Sequence, residues 1–377
     1  MPLHCMISRK EIIESLNSLQ NITNKKNTTM AILANVLIET TQNGLILTGT
    51  DLEIGMRIHV PAQISGEGIL TLPSKKLFEI VRESGTETIT LEETGNNWVT
   101  ISAGLSTYNL AGMGSDEFPE FPEFEDTSFT SFPSHVFLEL IDKIIYSIAN
   151  EQENIYSLNS VLFEKEIRDN TSYLKMISSD GHRLSIMEKE VSENLDGLIL
   201  NPVTLIPKKG IQEWKKFCEG KDRIEVSFEK KQLVLRDSTS VMVIRLKNGE
   251  FPNYSAIIDS IRLNNCIEIN RIPFLDSLKR INLFTEDNFH TIQINIQNDV
   301  MVLSSQSAEL GNAKDEQVIS YSGEPLVLGF NCRYFIETLQ VMECEKLEAY
   351  INGNNNPCLL KSKDDQGFLS IIMPMQL

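Results

Sequence analysis

The feature that most constrains this 377-residue chain is an internal repeat of helix pairs. Three segments carry apolar residues at helical spacing along one face, at 8–19, 133–148 and 270–284. A second set of helices follows short apolar strands, and these helices begin at positions 73, 207 and 331. The first helices start 125 and 137 residues apart, and the second helices start 134 and 124 residues apart. This regular spacing predicts three domains of similar plan.

The stretches between the helices alternate apolar and polar residues, as strands with one buried face do. Examples lie at 88–92, 98–102 and 223–228, and turn signals such as Gly-Asn-Asn at 95–97 separate them. The chain is therefore predicted to be α+β, with repeated domains at 1–127, 128–255 and 256–377. Chance pairing of helices in an ordinary α+β protein is the alternative at this point.

Composition excludes several classes of protein. Hydrophobic residues make up 41% of the chain and charged residues 23%, which is typical of a globular protein, and no apolar run reaches membrane-spanning length. The first six residues lack the pattern of a secretory signal. Six cysteines without C-x2-C spacing and five histidines without ligand spacing indicate reduced thiols in the cytoplasm, with no metal site and no cofactor.

The charge of the chain is unevenly distributed. The formal net charge is −18, which by itself argues against a nucleic-acid partner. The six predicted helices nevertheless hold 14 Lys/Arg against 11 Asp/Glu, so they carry +3 and leave −21 for the remainder. Basic residues also stand near the starts of the second helices, where the helix dipole disfavours them: Lys75, Lys76, Lys208, Lys209 and Arg333. Such a chain could present a basic surface to DNA, although solubility explains the same residues equally well.

Two local motifs allow more than one interpretation. Asp180 and His182 are two residues apart and could suggest a hydrolase, but no nucleophile motif accompanies them, which favours a turn with a structural histidine. The apolar end of the chain, Ile-Ile-Met-Pro-Met-Gln-Leu at 371–377, is typical of a last edge strand or of an adaptable peptide-binding groove. These two interpretations of the terminus are compatible.

Seven short motifs together match one family over essentially the full length. They are Leu-Thr-Gly-Thr-Asp-Leu-Glu-Ile at 47–54, Leu-Pro-Ser-Lys-Lys-Leu-Phe at 72–78, Glu-Phe-Pro-Glu-Phe-Pro at 117–122, Ser-Asp-Gly-His-Arg-Leu at 179–184, Ile-Pro-Lys-Lys-Gly at 206–210, Gly-Glu-Phe-Pro-Asn-Tyr at 249–254 and Met-Pro-Met-Gln-Leu at 373–377. Each motif is weak alone, but their order and spacing on a threefold repeat are specific. The chain resembles the bacterial DNA polymerase III beta subunits, the beta sliding clamps.

The resemblance implies a non-enzymatic ring. In this family three similarly folded domains per chain and two chains joined head to tail form a closed homodimer, with helices lining a central hole and sheets outside. The ring encircles double-stranded DNA without sequence preference and acts as a processivity factor. The implied partners are the polymerase III catalytic subunit, the clamp loader, and other polymerases and repair proteins that bind through short motifs; no membrane is implied.

The resemblance also assigns residues to three surfaces. The peptide-binding groove between the second and third domains would comprise Leu158, Ser179, Gly181, His182, Arg183, Leu184, Pro252, Ile257, Ile371, Met373, Pro374, Met375 and Leu377. The residues facing DNA would be Lys25, Lys26, Lys75, Gln152 and Lys209. The dimer interface would place Tyr108 and Leu110 against Leu283 and Phe284 of a second copy.

Three departures from the family pattern bear on these surfaces. Ala256 and Gln376 stand where the family commonly has arginine, so the rim of the groove is expected to be less basic. The loop at 21–29 lacks the proline-bearing pattern of the family, which affects the contacts expected of Lys25 and Lys26. A monomeric peptide-binding scaffold without a DNA role is the alternative to the ring, and a hydrolase using Asp180 and His182 is the third.

Overall fold

A computed structural model describes residues 2–23, 30–125, 128–150, 157–263, 265–285, 290–307, 309–351, 353 and 356–376. The first part of the chain contains β1 (His4–Ser8), α1 (Arg9–Thr23), β2 (Asn35–Thr41), β3 (Gly44–Thr50), β4 (Ile54–Gly66), β5 (Ile69–Pro73), α2 (Ser74–Glu83), β6 (Thr88–Gly95), β7 (Trp98–Ala103) and β8 (Ser106–Ala111). The middle part contains β9 (Thr130–Pro133), α3 (Ser134–Asp142), β10 (Ser160–Arg168), β11 (Thr171–Ser179), β12 (Arg183–Val191), β13 (Leu205–Pro207), α4 (Lys208–Cys218), β14 (Arg223–Phe228), β15 (Gln232–Arg236) and β16 (Ser240–Arg245). The last part contains α5 (Tyr254–Ser260), β17 (Cys266–Asn270), α6 (Arg271–Asn282), β18 (Thr291–Gln297), β19 (Val300–Ser307), β20 (Gly311–Val318), β21 (Leu326–Asn331), α7 (Cys332–Val341), β22 (Lys346–Tyr350), β23 (Cys358–Lys361) and β24 (Phe368–Ile372).

The six helices of the predicted repeat are present, and each begins at the residue after a strand ends. The pairs are β1 and α1, β5 and α2, β9 and α3, β13 and α4, β17 and α6, and β21 and α7. The prediction of a helix over 133–148 is wrong at its end, because α3 stops at Asp142 and a 3-10 turn, Ile145–Ser147, follows. At this point the Ile144 N–H donates to the Ile141 carbonyl at 3.1 Å, a tighter pattern than that of an α-helix.

Two compact units divide the chain. The first comprises Met1–Pro133, Asp196–Ile199 and Lys216–Leu246, and its strands form one twelve-stranded sheet. The long strand β4 joins the sheet's parts, because it pairs with β1 and β3 and also with β16, in the register Ile54 to Ile244 through Ile58 to Ser240. The helices α1 and α2 pack against each other in this unit, with Leu16 and Leu77 fully buried.

The second unit comprises Ser134–Leu195, Leu200–Lys215 and Lys247–Leu377. Its larger sheet has the strand order β13-β10-β11-β12-β24-β23-β22-β17, and its smaller sheet has the order β20-β19-β18-β21. The antiparallel pair β12 and β24 joins middle and last parts of the chain in one sheet. Trp214 is fully buried here, with its ring centroid 4.6 Å from that of Phe137 and 5.9 Å from that of Phe163.

Three hairpin turns each use two consecutive residues with left-handed backbone. They are Asn96 and Asn97 between β6 and β7, Asp169 and Asn170 between β10 and β11, and Asn298 and Asp299 between β18 and β19. Positive φ at both central residues matches the twist of paired strands, and Asn and Asp tolerate that conformation better than other side chains. The turn signal read at 95–97 is confirmed.

Candidate functional site

The turn between β11 and β12 is held by its own polar groups. The Ser179 hydroxyl donates to the Arg183 carbonyl at 2.7 Å and accepts from the Gly181 N–H at 3.1 Å. One carboxylate oxygen of Asp180 accepts from the backbone N–H groups of His182 and Arg183 at 3.0 and 3.1 Å. Gly181 has a φ of +89°, which a residue with a side chain rarely adopts. The turn therefore presents His182 in a fixed position.

Arg183 is buried, and its charge is compensated within the protein. Its Nε donates to Asp180 at 2.9 Å, one Nη donates to Glu337 and the other donates to the Tyr146 carbonyl at 2.7 Å. The guanidinium also lies 4.5 Å from the centre of the Tyr334 ring. Burial alone would lower the pKa of Arg183, but Asp180 and Glu337 raise it above its ordinary value. Arg183 thus ties the turn to α7, and its guanidinium is committed to these partners.

His182 differs from its neighbour, because its side chain is exposed. Its ring stacks on that of Tyr334, with centroids 6.4 Å apart and planes at 19°. One carboxylate oxygen of Asp180 accepts from the His182 backbone N–H, and the other accepts from the Arg183 side chain. This arrangement favours a recognition surface over the Asp180–His182 pair of the hydrolase alternative.

The end of the chain lies beside this turn. Leu184 on β12 pairs with Ile371 on β24, and the Met373 N–H donates to the His182 carbonyl at 2.9 Å. The expectation that the terminus forms an edge strand is wrong, because β24 lies between β12 and β23. Ile371 is 1% exposed because its side chain packs in a buried apolar cluster on one face of this sheet.

The residues after β24 leave the sheet with part of their apolar surface uncovered. Met373 is 41% exposed, and Pro374 and Met375 are half-buried. The Met375 N–H donates to the Gly329 carbonyl at 2.8 Å. The segment 373–375 is therefore held by backbone hydrogen bonds at Met373 and at Met375. Gln376 is exposed.

An apolar cluster forms the floor beside the turn. Its buried members are Leu162, Ile177, Leu184, Ile186, Leu205, Ile261, Tyr350, Leu359 and Ile371, and Phe251, Tyr254, Ile257, Ile258 and Leu369 pack against it. Pro252 lies just before α5, where its carbonyl accepts from the Tyr254 N–H at 2.7 Å. Leu158 is buried beside Gly181, 3.7 Å from where a Cβ of that glycine would lie. Most of the residues assigned to the groove are therefore linked through this turn, this cluster and the end of β24.

The residues assigned to DNA are only partly described. Lys75 is exposed and Lys209 is half-buried, and each is the second residue of a helix that follows a short strand. Lys208, the residue before Lys209, already has a partner within the protein, because its Nζ donates to the Ile148 carbonyl at 2.9 Å. Lys25, Lys26 and Gln152, together with Leu377 of the groove, lie outside the described residues.

The residues assigned to the dimer interface lie at accessible places. Tyr108 and Leu110 are on β8, the end strand of its sheet, which among the described strands pairs with β7 alone. Leu283, directly after α6, is 73% exposed, whereas Phe284 is half-buried and its carbonyl accepts from Ser305 at 2.8 Å. An end strand presents backbone groups that another chain can pair with.

Sequence reasoning missed the residues that support the groove. Tyr146 and Glu337 hold Arg183 from segments 37 and 154 residues away in sequence, and Tyr334 carries the His182 ring. The helix α5 was also missed, since it is only seven residues long and buries no residue fully. A local pattern gives no signal for a partner so distant in sequence.

The described part of the chain shows neither a cluster of metal ligands nor a membrane-spanning helix. No group of three or more His, Cys, Asp or Glu side chains is placed to hold a metal ion among these residues. No helix within the described ranges is long and apolar enough to cross a membrane.

Comparison with known families decides the assignment. Three family models match in order: the N-terminal domain of the DNA polymerase III beta subunit at 3–122, its central domain at 131–253 and its C-terminal domain at 262–376. This chain belongs to the DNA polymerase III beta subunit family. The resemblance read from the seven motifs is confirmed.

Individual members of the family agree over the whole length. A beta sliding clamp of Chlamydia pneumoniae is 26% identical over 372 residues, which is 99% of this chain and 98% of that protein. A crystal structure of a DNA polymerase III beta subunit from Eubacterium rectale matches with a TM-score of 0.90 at 25% identity, covering 100% of both chains. That of the Caulobacter crescentus beta sliding clamp matches with a TM-score of 0.92 at 22% identity, also covering 100% of both. The predicted α+β class and three-domain clamp fold are confirmed.

Proposed function

We propose that this chain is a DNA sliding clamp, a processivity factor without catalytic activity that encircles duplex DNA and tethers polymerases to it. The observation that carries this proposal is the match to all three clamp domains in order, from residue 3 to residue 376. We place the domain boundaries at 127/128 and 255/256, between the matched segments. The free state of all six cysteines supports the cytoplasm as the place where the clamp works.

The groove is proposed to bind short segments of the polymerase III catalytic subunit, the clamp loader and other DNA-processing proteins. The buried apolar floor of Leu184 and Ile371, and the exposed Met373 beside it, support this role. Partner segments of this kind place a few apolar side chains in a pocket, and those side chains provide most of the binding energy. Ala256 and Gln376 are exposed and uncharged, so the rim of the groove lacks two cations that the family commonly has.

Contact with DNA is proposed to be weak and to use the basic helices. Lys75 and Lys209 are the described members of this set, and Lys25, Lys26 and Gln152 complete it. The net charge of +3 on the six helices, against −18 for the chain, supports a local basic surface. A ring needs only weak phosphate contacts, because its closure keeps it on the DNA and a firm grip would oppose sliding.

Ring closure is proposed to join the β8 end of one copy to the α6 end of a second copy. Tyr108 and Leu110 of one chain would contact Leu283 and Phe284 of the other. The exposure of Leu283 supports this contact, and so does the edge of β8, which no other described strand pairs with. Two such head-to-tail contacts close a ring only when both ends are complementary.

The mass of the particle distinguishes this proposal from the monomeric scaffold. The chain has a mass of 42.6 kDa, so light scattering should give about twice that value for the ring. Replacing Leu283→Ala together with Phe284→Ala should shift the protein toward monomer, since each large-to-small change at a buried contact costs about 2–5 kcal/mol. Val318→Ala, at a side chain of β20 that is 90% exposed, is the comparison variant. Wild-type protein that is monomeric would support the scaffold, and a double variant that still dimerises fully would show that the interface lies elsewhere.

A further inference from the structure

A cavity of about 320 Å³ lies next to the apolar cluster but outside the proposed groove residues. Ile186 and Leu369 form part of its floor, and both belong to the cluster or pack against it. Tyr254 and Ile258 of α5 line another side. The cavity therefore continues the apolar surface on which the groove is built.

The strand register explains this continuity. Leu184 pairs with Ile371 in the groove, and two residues further along the same strands Ile186 pairs with Leu369 in the cavity. Side chains two residues apart point to the same face of a sheet and are about 6.6 Å apart. Along the sheet, the cavity therefore lies about two extended residues from the groove.

The helix α5 borders the cavity without filling it. Tyr254 and Ile258 are four residues apart, so they lie on one side of the helix, and Ile257 packs on the cluster without lining the cavity. The Tyr254 hydroxyl donates to Glu164 at 2.6 Å, which holds the first turn of α5 over the sheet. Both Tyr254 and Ile258 remain half-buried, so they retain apolar surface that a ligand could cover.

The charges around the cavity differ between its two ends. Lys175 lies between Glu188 at 3.1 Å and Glu166 at 3.4 Å, so its charge is balanced. At the other end Lys361 lines the cavity and is only loosely paired, because its ammonium lies 3.9 Å from Glu348, a carboxylate that also lies 3.7 Å from Lys363. The Lys363 side chain is 91% exposed and that of Lys361 is 38% exposed. Lys361 is therefore a partly exposed cation on the cavity wall, with its carboxylate partner near the outer limit of an ion pair.

We propose that this cavity is a second binding site for partner segments already docked in the groove. Its occupant is an apolar side chain followed by a carboxylate, which fits the floor of Ile186 and Leu369 and the loosely paired ammonium of Lys361. This inference rests on the proposed peptide-binding function and adds a sequence preference to it.

The test uses a six-residue clamp-binding segment of the polymerase III catalytic subunit. The segment is measured alone and with Gly-Gly-Leu-Glu or Gly-Gly-Leu-Lys added at either end, by fluorescence anisotropy on the full-length dimer. At one end the Leu-Glu extension should tighten binding about tenfold, as expected for one further buried apolar side chain after ordering costs. Ile258→Gln should remove this gain, and Lys361→Glu should reverse the preference from Leu-Glu to Leu-Lys. Lys361→Glu should not change the affinity of the six-residue segment more than about twofold. Ile258 packs against the floor of the groove, so for Ile258→Gln the gain is taken as the ratio of the affinities of the extended and the six-residue segments.

Lys231→Glu provides the matched charge reversal at an exposed position of the other unit, and it should leave all affinities unchanged. If neither extension tightens binding to wild-type clamp, or if both variants keep the full gain, the second site does not exist. A lower dimer mass for Ile258→Gln would show that a second copy covers the cavity, which also overturns the proposal. Failure of the six-residue segment itself to bind would overturn the groove, a distinguishable result.

Discussion

His182 and Arg183 are adjacent in sequence but have opposite surroundings. The Arg183 side chain is 8% exposed and its cationic group is engaged by Asp180, Glu337 and a backbone carbonyl. His182 is exposed, and it is linked to the end of the chain through its carbonyl and to Tyr334 through its ring. At this scale the arginine determines the shape of the groove, and the histidine supplies a surface for contact.

Because His182 contributes a ring face and not a proton, His182→Gln should weaken peptide binding only modestly. Loss of one aromatic contact corresponds to about 0.5–1.5 kcal/mol, or roughly 2- to 12-fold in affinity. Anisotropy titration with a groove-binding peptide measures this change, and His59→Gln, at an exposed histidine in the other unit, is the control. A loss of about a thousandfold in His182→Gln would mean that the ring has a more specific role.

Asp237 makes the stability of the first unit depend on pH. Burial alone would raise the pKa of Asp237, but hydrogen bonds from Lys221 at 2.8 Å and from the Thr239 N–H at 2.7 Å lower it to about 2. A depressed pKa favours the folded state above the ordinary value of 3.8, and this contribution is lost as pH falls toward 2.

Asp237→Asn should therefore lower the free energy of unfolding at pH 7 by about 1 kcal/mol, allowing for screening by solvent. The difference from wild type should shrink as the pH falls from about 4 to about 2. Urea unfolding at several pH values measures this, with Asp116→Asn at an exposed position as the control. A difference that stays constant over that range would contradict the assigned pKa.

At the scale of elements, the sequence predicted the repeated helices but not the point at which one of them, α3, ends. The apolar spacing at 8–19 and 270–284 predicted α1 and α6 because each buries one stripe of side chains. The same spacing over 133–148 predicted a helix that continues beyond Asp142, the last residue of α3. The next residue, Lys143, is 3% exposed and forms an ion pair with Asp365 at 2.8 Å. A contact between residues this far apart in sequence leaves no local pattern, and the same holds for the support that Glu337 gives to Arg183.

The terminal segment after β24 should be essential for peptide binding and dispensable for the dimer. Strand β24 ends at Ile372, so deletion of 373–377 leaves its pairing with β12 and β23 in place but removes Met373 and Met375 from the groove. Peptide binding should be lost, because few side chains supply most of the affinity at such sites. Affinity and dimer mass are measured on the same truncated protein. Wild-type affinity after the deletion would place the groove elsewhere, and loss of the dimer would link this segment to ring closure.

At the scale of the whole molecule, the repeat predicted three domains, whereas the sheets run across the repeat boundaries. Pairing of β4 with β16 and of β12 with β24 joins strands of successive repeats into two larger sheets. Strand pairing between repeats depends on edge geometry that residue spacing does not encode, so the sequence could not show it. The net charge of −18 by itself argued against a nucleic-acid partner. The basic helices became visible only when the charge was counted separately for the helices of the repeat.

The central claim is that closure of a ring keeps the clamp on DNA. The most direct measurement loads the labelled clamp onto a nicked circular plasmid with its clamp loader, raises the salt until ordinary phosphate binding is abolished, and compares retention before and after the plasmid is cut once. The account predicts that the clamp stays on the circle at that salt and leaves the linear DNA by sliding off its ends, because topology does not depend on ionic strength. Equal loss from circular and linear DNA at that salt would mean that phosphate contacts alone hold the protein, and would contradict the account.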